Sequence, residues 1–250
     1  MIMNLLAQAG DGFLWLMGVI GLNADLMDRY GLRFLGGIWV TLQLVFLSVG
    51  IGAVLSLPLA IARIEGGKVA RSVSFGYSYF FRGTPLLAQT FLIYYGAGQF
   101  REALTDIGLW WFFRDAFNCA VFTFTLNTAA YQCEILRGGI QSLPVGQTEG
   151  GKAMGLTRYQ IYRTILLPQA YAVGLRPLGN ELILMIKSSA IASVVTVYDL
   201  MGVTRLAFSR SYDMEVYLWA AALYLLMVEI VRRVWNLLER RLNRHQLLSR

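Results

Sequence analysis

Residues 34–62 form 29 consecutive positions without a formal charge, bracketed by Arg33 and Arg63. At about 1.5 Å of rise per helical residue, such a run exceeds the roughly 30 Å hydrocarbon core of a bilayer. It predicts a first membrane span, in which Pro58 near the end is tolerable. The same pattern predicts span two at 84–100, preceded by an interfacial aromatic stretch at 75–81. Span three is expected at 115–134, with Trp110 and Trp111 as interfacial anchors. Span four is drawn over 177–204 and holds Glu181, Lys187 and Asp199; span five runs from Val216 to Arg232 and Arg233. An apolar patch at 13–22 has only 10 residues, too short to cross, and is read as interfacial. The expected fold class is all-α, a polytopic membrane helical bundle of about five transmembrane helices. Residues 1–33 are an N-terminal segment, 34–236 the membrane domain and 237–250 a basic tail.

Composition agrees. The 250 residues are 56% hydrophobic and 15% charged, with a mean hydropathy of +0.53. Soluble domains are about a quarter charged, so apolar residues here must be hidden in lipid as well as in a core. The net charge of +7 invites a nucleic-acid reading, but the basic residues flank apolar runs instead of striping one helix face, and no nucleic-acid partner is expected. Lys and Arg also orient the chain. With the long link at about 134–176 inside, 15 of the 22 fall on the cytoplasmic side and 6 outside, with Lys187 left in span four. The N-terminus is then periplasmic and the C-terminus cytoplasmic. Residues 1–24 contain no Lys or Arg, so no secretory signal is expected there.

Cys119 and Cys133 share one apolar run and read as small packing residues. His245 is the lone histidine, in the basic tail, and is expected to be solvated. Inside the spans, ionisable residues need a partner or an aqueous cavity. Glu181 and Lys187 are six apart, on nearly opposite faces of a straight helix, which disfavours an ion pair between them. Either the helix breaks near Ser188 and Ser189, or each meets a different partner. Asn127 and Tyr131, four apart, share a face of span three. These four residues, Asn127, Tyr131, Glu181 and Lys187, are the candidate solute path; the alternative for each is a structural role between helices. Arg82, with Gly83 and Pro85, is expected to set the entry angle of span two and to anchor it at lipid phosphates.

In the long link, Glu149 opens the run E-G-G-K-A-M-G; nine residues later comes I-L-L-P, ending at Pro168. This resembles the pattern E-A-A-x-x-x-G-x9-I-x-L-P, the cytoplasmic loop by which permease subunits of bacterial ABC importers dock onto their ATPases. Glu149, Gly155, Ile165, Leu167 and Pro168 stand in its positions, while Gly150 and Gly151 replace its two alanines. The resemblance implies the type I ABC importer permease fold, with 143–168 as the coupling loop. Spacing of Tyr159, Tyr162, Ile165 and Leu166 predicts a helix over 156–167, which Pro168 would end. Gly150, Gly151, Ala153 and Gly155 would let the preceding turn sink into a partner's groove.

The segments at 80–89, 126–147 and 179–190 are similar to the polar amino-acid branch of these permeases. The stretch F-F-R-D-A-F-N-C and the tail L-L-E-R-R-L-N-R-H are more like the M-type subunits serving histidine, lysine/arginine/ornithine or opines. The resemblance implies a periplasmic binding protein, a second permease subunit and two ATPase copies. ATP and Mg2+ would belong to that ATPase, since this chain has no G-x-x-x-x-G-K-[ST] run; no cofactor, metal or catalytic residue is expected in it. The rival reading is an ion-coupled secondary transporter or a channel subunit. Five spans do not divide into two inverted halves, and a carrier has no reason to keep the loop. A membrane assembly or signalling subunit would leave Glu181 and Asn127 without an aqueous path.

Overall fold

In the computed structural model, the structure describes residues 24–242, so the patch at 13–22 and His245 lie outside the described residues. Among the described residues every regular element is a helix. The first, α1, spans Ala24–Glu65, 42 residues, with Pro58 inside it. It buries Phe34, Leu44 and Val45 in the core and is apolar on its outer face as well. Leu35, Trp39, Phe46, Leu47 and Val54 point outward, whereas Thr41, Ser48 and Ser56 are buried. In lipid, the apolar face needs no protein cover, and small polar residues serve helix contacts.

Those contacts are made to α6, Ala116–Gln141. Ser48, Gly52, Ser56 and Ala60, each four apart, form the stripe that α6 meets. The Ser48 hydroxyl donates to the Val121 carbonyl, and Ala60 clusters with Cys133 and Leu136. A Cβ on Gly52 would lie 2.6 Å from the Thr128 methyl and 3.3 Å from the Ala129 amide nitrogen. Close backbone approach thus decides which residues occupy this seam.

The second crossing departs from expectation. Residues 75–81, expected before the span, lie within a helix, α2, Lys68–Gly83. The residues predicted as span two form α3, Leu86–Gln99, only 14 residues long. At 1.5 Å per residue, α3 reaches about 21 Å and α2 about 24 Å, each short of a hydrocarbon core of about 30 Å. Both pack on α6, and the helical path breaks between them at Gly83–Pro85. Proline without an N–H, preceded by extended Thr84, breaks the hydrogen-bond ladder there.

Two short helices, α4 (Arg101–Asp106) and α5 (Trp110–Phe113), lead to α6, where Asp115 caps the N-terminus by accepting from the Asn118 amide. After the link come α7 (Val145–Ala153), α8 (Arg158–Ile161), a π-turn at Tyr162–Leu166 and α9 (Leu167–Ser188). The predicted span four is not one helix. It ends as α-helix at Ser188, tightens to a 3-10 turn over Ser189–Val195, and reverses at Thr196 with φ 66°. Asp199, expected within a span, instead caps α10 (Leu200–Ser211). The last helix, α11, runs Glu215–Leu242, past the expected end at Arg233. Two helical stretches, Arg29–Glu65 and Arg158–Val195, are both long and apolar enough to cross a membrane. The core lies between α1, α6, α9, α10 and α11, around Phe34, Phe124, Ile186, Leu200 and Trp219.

Candidate functional site

The loop at 143–168 is a turn of helices whose shape is set residue by residue. Pro144 has extended backbone and precedes α7, which carries Glu149, Gly150, Gly151 and Ala153. Beyond Ala153 the helix stops at Gly155, φ +77°. The Gly155 amide donates to the Lys152 carbonyl and the Leu156 amide to the Gly151 carbonyl, at 2.9 and 3.0 Å. This pair of crossed bonds closes a helix with a left-handed residue, which glycine adopts without a Cβ penalty. Gly155 is therefore a turn residue first. Thr157 then starts α8 with a capping box: its hydroxyl accepts from the Gln160 amide, and the Gln160 side chain accepts from the Thr157 amide.

The two glycines that replace alanines behave differently. Gly150 faces open space, whereas Gly151 is buried against the second arm: a Cβ there would lie 2.9 Å from Cγ1 of Ile161 and 3.3 Å from Cδ1 of Ile165. Gly151 thus closes α7 onto α8 and the π-turn, and does not serve as a surface for a partner's groove. Glu149, Gly150, Ala153 and Gly155 remain on the exposed side; Ile165 and Leu167 are half-buried.

Pro168 does not end a helix, contrary to expectation. It sits in the first turn of α9, and the helical path continues from Arg158 through Ser188. The π-turn is what makes this possible. It holds one extra residue per turn, with the Leu167 amide donating to the Tyr162 carbonyl, five residues back. The helix restarts beyond it, and proline's missing N–H is tolerated at a helix's first turn.

The residues of the predicted solute path separate into three environments. Asn127 is buried; its amide donates to the Phe81 carbonyl at 2.8 Å and to Oε1 of Gln89 at 3.1 Å. Gln89 in turn donates to the Phe81 and Thr84 carbonyls and the Thr84 hydroxyl. These two amides satisfy the backbone that the break between α2 and α3 strands. Tyr131 shares the Asn127 face as predicted, and its hydroxyl reaches the Arg82 carbonyl at 3.5 Å. Arg82 is still exposed, with its guanidinium 5.3 Å from the Tyr131 ring centroid and 3.9 Å from Glu134. Arg63 and Arg137 converge on the same Glu134 carboxylate, at 3.6 and 2.8 Å.

Glu181, only 6% exposed, accepts from the Thr128 hydroxyl at 3.0 Å, and Gln132 donates to both that hydroxyl and the Val49 carbonyl. Lys187 is exposed on the other side of α9, so the two lie on different faces, as their spacing predicts. The α-helix also ends one residue later, at Ser188. The break expected near Ser188 and Ser189 is therefore present, and Glu181 meets Thr128. Buried Gln89, Thr128 and Gln132, half-buried Glu134, and Asp199 with its separate partners Gly202 and Tyr224 are the polar contacts that the path reading missed. Their signal in sequence is weak: amides and hydroxyls among apolar residues.

The sequence pattern of the family described as "Binding-protein-dependent transport system inner membrane component" matches residues 48–244, most of the chain. The chain belongs to this family. This inner-membrane component is 42% identical to the nopaline transport system permease protein NocM of Agrobacterium fabrum, over 85% of this chain and 89% of that one. It is 43% identical to the octopine transport system permease protein OccM of Rhizobium radiobacter, over 82% and 84%. Against the histidine/lysine/arginine/ornithine permease HisM of Escherichia coli K12 the identity is 38%, over 86% and 90%. Among solved structures, an amino acid ABC transporter with histidines matches at 36% identity and a TM-score of 0.73, over 86% of this chain and 96% of that chain. The MetNI methionine ABC transporter matches in fold, with a TM-score of 0.73 at 20% identity. The inner-membrane component thus has the all-helical architecture of ABC importer permeases, and its matched region includes all of residues 143–168.

Proposed function

We propose that this chain is one of two permease subunits in an ATP-driven importer of polar, basic amino acids or opines. The observation that carries the coupling role is the two-armed loop. Gly151 closes its arms on each other, while Glu149, Gly150 and Gly155 stay exposed as one edge. The complex holds two copies of a separate ATPase subunit, which bind ATP and Mg2+; one docks on this edge and the other on the second permease, and this chain hydrolyses nothing. A periplasmic binding protein delivers solute at the opposite end. The second permease is a related chain or a second copy. The N-terminus is periplasmic and the C-terminus cytoplasmic, supported by the distribution of Lys and Arg.

The solute class draws on the relatives' nopaline, octopine and histidine/lysine/arginine/ornithine systems. Glu181 supports it: a buried carboxylate beside Thr128 is suited to a cationic side chain. Asn127 and Tyr131 line the approach, and Lys187 on the other face of α9 meets the second permease or the solute carboxylate.

In complexes reconstituted in lipid, Glu149→Lys or Gly155→Asp is expected to leave binding-protein docking intact and to abolish transport-coupled ATP hydrolysis. Normal coupled hydrolysis would refute the docking assignment. Uptake of labelled arginine, histidine and octopine should exceed that of glutamine, and preference for glutamine or an acidic solute would refute the solute class.

A further inference from the structure

α1 ends at Glu65, and its carboxylate is held by the coupling loop. Nη1 of Arg158 donates to Oε2 of Glu65 at 2.9 Å, and the Tyr162 hydroxyl donates to Oε1, also at 2.9 Å. The two donors come from different parts of the loop. Arg158 opens α8 just after the capping box, and Tyr162 begins the π-turn. Nearly one hundred residues of chain separate them from Glu65, so this is a tertiary link and not a local cap.

A cavity of about 270 Å³ lies between the end of α1 and the two arms, lined by Ile64, Glu65, Thr148, Lys152, Arg158 and Tyr162. Ile140, Leu143, Val145, Ile161 and Leu166 also line this cavity, and the Glu65 carboxylate reaches across it to both donors. An exposed ion pair alone adds little. Here both oxygens are engaged, and one donor belongs to a π-turn, whose altered register aims its side chains differently from an α-helix.

We infer that Glu65 is a positioning residue of the coupling machinery, which makes the cytoplasmic end of α1 move with the loop as one unit. α1 is also the helix whose small-residue seam grips α6. A push on the loop thus reaches the bundle by two routes: directly along α9, and through Glu65 into α1 and α6. The inference rests on the reading of 143–168 as the ATPase-docking loop.

The test measures solute transported per ATP hydrolysed in the full complex in liposomes. Glu65→Arg is expected to lower that ratio at least threefold, and the exchange Glu65→Arg with Arg158→Glu to restore most of it. A wild-type ratio in Glu65→Arg, or no recovery in the exchange, overturns the inference. Should Glu65→Arg fail to assemble, spin labels at Lys68→Cys and Arg163→Cys in the Glu65 background decide. Their separation is expected to stay constant between nucleotide-free and ATP-bound states, and a change overturns the rigid link. The two readings fail separately. If Glu149→Lys retains coupled hydrolysis, the docking loop is wrong; if Glu149→Lys abolishes it while Glu65→Arg couples normally, only the role of Glu65 is wrong.

Discussion

The side-chain amide of Asn127, on α6, donates to the carbonyl of Phe81, four residues before the proline that separates α2 from α3. One buried amide thus stabilises a break made by another helix. Removing it leaves the Phe81 carbonyl with Gln89 alone and Gln89 without a donor to its oxygen. Loss of a buried hydrogen-bond partner costs about 1–3 kcal/mol. Asn127→Leu is expected to lower the thermal midpoint of the purified complex by several degrees, and Asn127→Asp to lower it as well, since a carboxylate cannot donate. Unchanged midpoints would show that the break holds without the amide.

Gly150 and Gly151 should respond oppositely to alanine and larger residues. Gly150 sits inside α7 with open space around it, so Gly150→Ala is expected to stabilise by about 0.5–1 kcal/mol through helix propensity. Gly151→Val would drive its branched carbons into Ile161 and Ile165 and spread the two arms. Coupled ATP hydrolysis should be retained in the first and severely reduced in the second. Equal activity in both would mean the arms are not closed in the working complex.

Asp199 joins three parts of the structure. Its Oδ1 accepts from the Gly202 amide at 2.9 Å and its Oδ2 from the Tyr224 hydroxyl at 3.3 Å, while the next residue's amide donates to the Thr41 hydroxyl. Replacing an N-cap by alanine costs about 0.5–2 kcal/mol, and burial places this one at the upper end. Asp199→Ala should destabilise more than Asp199→Asn, which keeps an acceptor for Gly202. Denaturation monitored in nanodiscs would rank them, and the reverse order would remove the capping role.

Glu134 neutralises part of a cluster of three guanidiniums, from Arg63, Arg82 and Arg137. Hydrogen bonds to charged groups contribute roughly 1.5–3 kcal/mol. Glu134→Gln is therefore expected to cost about 2 kcal/mol, and Arg82→Gln less, because Arg82 is the more exposed and more distant partner. Stability measurements on the two single variants would check the order.

Much of this was legible along the chain, where apolar runs are long and uninterrupted. Residues 34–62 declare α1 because lipid tolerates no unpaired backbone, so an apolar run of that length must be helical. The spacing from Glu149 to Pro168 carried the family resemblance, and a six-residue separation put Glu181 and Lys187 on different faces. Tertiary structure decided the rest. That residues 75–81 join a helix broken before α3 depends on α6, whose Asn127 satisfies the broken backbone. Pro168 reads locally as a stop, yet a π-turn upstream shifts the register so that the helix continues. Gly151 looked like one more small surface residue until Ile161 and Ile165, ten and fourteen positions later, closed over it. Periodicity reports which face of a helix is apolar. It does not report which distant backbone approaches that face, and those approaches place the breaks, caps and buried amides of this protein.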